Sequence, residues 1–98
     1  MAINYKIVND ILNYIGNENK SDWYIGIATY PRNRLFGDHN VNELSGRWIY
    51  NTNPISENDA RETEAYLLKM YPFKGNPGGG DHLQYVYAYK ITSYTRES

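Results

Sequence analysis

Isoleucines at positions 3, 7, 11 and 15 recur every fourth residue, and from Trp23 onward the apolar period drops to two. This change of period limits the fold more than any other feature, because a period near four fits one helix face and a period of two fits one strand face. In "INYKIVNDILNYI", Val8 and Leu12 widen the isoleucine stripe and Gly16 with Asn17 offers a C-cap, so a helix is predicted over 3–15. "NENKSD" is a polar connector. "WYIGIAT" reads as a strand, with Trp23, Ile25, Ile27 and Thr29 on one face and Tyr24, Gly26 and Ala28 on the other.

The rest of the chain repeats the alternation. "YPRNRLFGDHN" is a turn into a short helix, with Pro31 suited to the first turn. "RWIYN" at 47–51 is a second strand. "NPISENDARETEAYLLKMYP" is the best-marked helix: Ser56 caps it, acids crowd its first turn and Pro72 stops it. "FKGNPGGGD" is a loop, and "LQYVYAYKIT" is a last strand that sets Tyr85, Tyr87 and Tyr89 against Val86, Ala88 and Lys90. The order α-β-α-β-α-β predicts one α+β domain over 1–98, a small three-stranded, mainly antiparallel sheet with helices packed on it.

Composition narrows the chemistry. There is no cysteine, which excludes disulfides, zinc–thiolate sites and thiol nucleophiles. Ten Lys and Arg against eleven Asp and Glu give a net charge of −1, without the basic excess of a dedicated nucleic-acid binder. A catalyst that needs one local basic spot is still permitted. No apolar run is long enough to span a bilayer, and "MAINYKIVND" lacks the apolar core of a signal peptide. The expectation is therefore a cytoplasmic protein with no membrane partner. Eleven tyrosines against two phenylalanines predict a core and rim rich in hydroxyl hydrogen bonds.

Three places invite chemistry. Tyr24 stands beside Gly26 and Ala28 on the shallow strand face; either a helix packs tightly over Gly26, or this face is a cleft floor into which the phenol projects. On the last helix, positions 60, 63, 64, 67, 68 and 71 form one stripe, which turns Glu64 inward among apolar residues. An inward carboxylate must be paired, hydrogen-bonded or metal-bound, so Glu64 is either a buried partner of an arginine or a metal ligand or acid–base group. His39 is a general base or a loop hydrogen-bonder. The echo of "GDHN" at 37–40 and "GDHL" at 80–83 allows a shared metal site, although turn chemistry alone favours Gly-Asp. The "GNPGGGD" loop lacks the Lys-Ser/Thr ending of a phosphate-binding P-loop and reads mainly as a connector.

Taken together, these residues resemble the GIY-YIG nuclease family. "YIG" at Tyr24-Ile25-Gly26 matches its second strand, and Arg34 lies ten residues after Tyr24, as the family's helix arginine does. The family places a histidine or tyrosine four residues past that arginine; here Asp38 holds that place and His39 follows. "ETEAYLLK" matches the family's glutamate helix at Glu64, and Asn76 corresponds to an asparagine beyond it. The family's opening Gly-Ile-Tyr strand is missing ahead of Trp23. The last strand would fill its place in a permuted arrangement, with one of Tyr85, Tyr87 or Tyr89 as the first tyrosine. The resemblance implies metal-dependent hydrolysis of DNA or RNA phosphodiesters. Glu64 would hold Mg²⁺ or another divalent cation, Arg34 would stabilise developing charge, and Tyr24, His39 and Tyr87 would serve proton transfer. Gly26, Arg32, Asn76 and Lys90, with Lys74, would lie along the substrate. Specificity would come from a targeting protein partner or be absent. The alternative is an inactive GIY-YIG-like domain that binds protein or nucleic acid.

Overall fold

A computed structural model describes residues 2–75 and 83–97. Helix α1 runs Tyr5–Ile15 and buries Ile7, Val8, Ile11 and Ile15. It starts two residues later than the isoleucine stripe because Asn4 is its N-cap: the Asn4 side chain accepts from the Ile7 N–H at 3.0 Å. At the far end Gly16 takes φ +66 and donates to the Leu12 carbonyl. A short 3₁₀ turn, Lys20–Asp22, leads into β1, Trp23–Ala28. β2 is Trp48–Tyr50, α2 is Glu57–Met70 and β3 is Tyr85–Lys90. Ser56 caps α2 by accepting from the Asp59 N–H at 3.1 Å.

The sheet order is β1-β3-β2 with both pairings antiparallel, so the last strand in sequence is the middle strand in space. Gly26 pairs with Tyr87, Tyr24 with Tyr89, and Tyr50 with Tyr87 from the other side. Pleating then divides the core in two. On one face Trp23, Ile25, Ile27, Val86 and Ala88 meet the apolar stripes of α1 and α2. On the other face Tyr24, Ala28, Tyr87 and Tyr89 pack with Leu35 and Val41. Beyond α2 the chain lies along the outer edge of β1, where the Ile25 N–H donates to the Lys74 carbonyl at 2.9 Å and the Lys74 N–H to the Trp23 carbonyl at 2.9 Å. No helix among the described residues is long and apolar enough to cross a membrane.

Between β1 and β2 the short helix is not α-helical. Asn33–Asp38 forms a π-helical segment, in which the His39 N–H reaches back five residues to the Arg34 carbonyl at 2.8 Å. The sequence pattern does not distinguish this from an α turn, since Pro31 starts both equally well. Asn40 follows at φ +56, a left-handed conformation that asparagine tolerates and that turns the chain after His39.

At the other end of the sheet Glu18 bridges Arg47 and Lys90, the latter at 2.5 Å. Hydrogen bonds from Lys90 and Arg47 bring its carboxyl down to about 2. A depressed carboxyl favours folding above its unfolded pKa, near ~4.3, and that contribution is lost as pH falls toward the folded value. Glu18→Gln should therefore flatten the fall in melting temperature between about pH 5 and pH 2. An unchanged acid limb in thermal melts would show that this bridge does not matter to stability.

Candidate active site

The tyrosine face of the sheet is closed by the π-helical segment, and His39 ends up inside it with no solvent exposure. Its ring sits among three phenols, with centroids 4.7 Å from Tyr24, 5.5 Å from Tyr87 and 4.8 Å from Tyr89. The phenols themselves stack, Tyr24 on Tyr89 at 5.2 Å and on Tyr87 at 6.4 Å. His39 points inward, while Asp38 stays at the surface in an ion pair with Arg34 at 2.9 Å.

Both ring nitrogens of His39 are engaged. Nε2 lies 2.7 Å from the Tyr87 hydroxyl and Nδ1 lies 2.5 Å from the Arg96 carbonyl. Burial lowers the pKa of His39 below its usual value, with the nearby Arg34 charge acting in the same direction and the Arg96 carbonyl opposing it. At neutral pH the ring is therefore uncharged and can take a proton. Burial raises the phenols, Tyr87 and Tyr89 strongly, so both remain protonated donors. The Arg34 guanidinium works against burial at Tyr87, through its charge and a hydrogen bond.

Glu64 is buried on α2 with Ala60, Thr63 and Leu67, and only 3% of it is exposed. Its charge reaches both Tyr24 and Tyr87, adding to the burial that raises each phenol. Three phenols thus surround a neutral imidazole with a guanidinium beside Tyr87, and the carboxylate of Glu64 acts on Tyr24 and Tyr87 through its charge. Among the described residues, no three His, Cys, Asp or Glu side chains stand close enough to hold a metal together. A cation here would have Glu64 as its protein carboxylate.

Other expected site residues fall elsewhere. Gly26 is buried rather than a cleft floor, and the side chain nearest to it is the cross-strand Tyr87. A Cβ at that position would stand 2.3 Å from Cζ and from the hydroxyl oxygen of Tyr87, so the glycine exists to let the cross-strand phenol lie on the backbone. With that ring above it, Gly26 offers substrate no surface. Lys90 lies on the helix-covered face, bonded to Glu18, and does not reach the phenols. Arg32 is exposed on the β2 side, paired with Glu43 and lying over Phe36 and Trp48 at 5.1 and 5.9 Å. Lys74 is placed by its main chain along the β1 edge. Asn76 and the second Asp-His pair lie outside the described residues. Tyr89, one of the three candidates for the first tyrosine, joins the site beside Tyr87. Arg96 and Glu97 join it without having been expected, and Arg96 contributes through a carbonyl that no side-chain pattern reveals. Compared with known proteins, the chain matches no family model, no curated protein and no solved structure.

Proposed function

We propose that this chain is a small metal-dependent nuclease that hydrolyses phosphodiester bonds of DNA or RNA. The observation that carries the reading is the buried contact between Tyr87 and His39, with Tyr24 against the imidazole and the Arg34 guanidinium beside Tyr87; Glu64 on α2 bears on both phenols through its charge. The permuted arrangement of a GIY-YIG-like site fits this, because β3 lies beside β1 and supplies Tyr87 opposite Gly26.

The roles follow from the protonation states. A phenol raised by burial is a poor base alone. Tyr87 becomes effective when its own proton moves to His39 Nε2 as its oxygen takes a proton from the attacking water. Arg34, about half exposed at the rim, offers guanidinium donors to the charge that grows on the phosphate. Tyr24 orients the water or the phosphate by hydrogen bonding. Glu64 is a hard oxygen donor suited to Mg²⁺, which is commonly held by one or two carboxylates together with substrate phosphate oxygens. Bound there, the ion would supply Lewis-acid polarisation of the phosphate. Sequence specificity would come from a protein partner or be absent.

Purified protein incubated with plasmid, single-stranded DNA and RNA should cleave at least one of them with Mg²⁺ or Mn²⁺ and none with chelator. A second reading is supported by the tight closure of the cluster, where His39 and Tyr87 have no exposed surface. It is a GIY-YIG-like domain that binds protein or nucleic acid without cutting. Failure of every substrate and both metals would select that reading.

A further inference from the structure

The chain beyond β3 returns beneath the phenols and grips His39 at two points through one residue. The Arg96 N–H donates to the His39 carbonyl at 2.7 Å, and the Arg96 carbonyl stands 2.5 Å from His39 Nδ1. A carbonyl only accepts, so the hydrogen of that contact belongs to Nδ1. A neutral imidazole carries one N–H, which leaves Nε2 bare and makes the Tyr87 hydroxyl the donor across their 2.7 Å contact. The grip is itself supported. The Tyr89 hydroxyl donates to Glu97 Oε2 at 2.9 Å, Thr95 Oγ1 donates to the same oxygen at 2.7 Å, and the Asn40 side-chain amide holds the Tyr94 carbonyl at 2.9 Å.

We propose that residues 94–97 are a positioning strap: the Arg96 main chain commits His39 to its Nδ1–H tautomer, and the Tyr89–Glu97 pair holds that carbonyl in register. The catalytic consequence rests on the nuclease reading; the tautomer does not. With the hydrogen on Nε2 instead, His39 would present a donor to Tyr87 and could not receive its proton. The strap therefore gives the proton leaving Tyr87 a single destination. Tyr89, Arg96 and Glu97 touch no reacting atom in this scheme and act through His39.

Two measurements on the full chain separate the strap from the nuclease reading. Long-range ¹H–¹⁵N correlation spectra of histidine-labelled protein at neutral pH should show His39 protonated at Nδ1 and bare at Nε2. The opposite tautomer, or a mixture, overturns the proposal whatever the activity. Arg96→Pro removes the gripping N–H, whereas Arg96→Ala keeps both main-chain groups. The proline variant should give mixed tautomers and a kcat at least about tenfold lower with KM little changed. The alanine variant should match the parent in both readouts. A proline variant with the parent spectrum, or an alanine variant that also loses the tautomer, would refute the strap. If the parent cleaves nothing, the nuclease reading falls while the three spectra still decide the strap. If the proline variant does not fold, the parent and alanine spectra decide it.

Discussion

Glu64→Gln should reduce metal-dependent cleavage by at least about a hundredfold, since a metal-held phosphate contributes several kcal/mol to the transition state. Glutamine keeps the shape of the side chain and removes its charge, so the buried site on α2 should still pack and thermal unfolding should stay cooperative. The comparison to make is single-turnover cleavage by the two proteins at saturating Mg²⁺. Equal rates would place the activity at another site or in a contaminant. The same substitution also removes a negative charge that now disfavours ionised Tyr24 and Tyr87, so any gain in phenol acidity works against the expected loss. A net loss of two orders of magnitude would therefore mark the carboxylate as a ligand rather than as background charge.

The second large effect belongs to Gly26 and is independent of function. Alanine there drives a methyl group to 2.3 Å from the Tyr87 ring, which is fully buried and tied to His39 at its hydroxyl, so it gives way only by breaking that contact. Overpacking of this kind costs about 1–3 kcal/mol. In a chain of this size that is a fall in melting temperature of roughly 4–8 °C per kcal/mol. The displaced phenol should also lose its 2.7 Å contact with His39, so activity should fall more than stability predicts. A Gly26→Ala protein that melts like the parent would mean that the ring does not lie where the geometry puts it.

Much of this was readable in the amino acids because it rests on period and capping. The isoleucine stripe marks α1, Ser56 and Pro72 bound α2, and the alternation of Tyr24, Gly26 and Ala28 with larger residues separates the two faces of β1. The inward turn of Glu64 follows from helical spacing alone. What was not readable depends on contacts between distant segments or on the main chain. The meaning of Gly26 lies in a strand sixty residues away, and spacing cannot reveal that a cross-strand phenol, rather than a helix or an open cleft, fills its missing side chain. The π turn at Asn33–Asp38 differs from an α turn only in main-chain hydrogen bonds that reach one residue further, which side-chain pattern does not record. Lys90 looked available because strand position says nothing of Glu18, which approaches from the connector after α1. The tyrosines at 85, 87 and 89 were equivalent in sequence, and only pairing with β1 separates them.

The place of β3 between the other two strands has a consequence for how the chain matures. β1 and β2 do not pair with each other, and the strand that joins them into one sheet is Tyr85–Lys90. During synthesis the first two strands cannot join into one sheet until the third has left the ribosome. Pairings so distant along the chain close slowly and leave early intermediates prone to association. The proposed catalytic group Tyr87 arrives on the same late strand, so the sheet and its chemistry are completed in one event, and no shorter nascent product carries either.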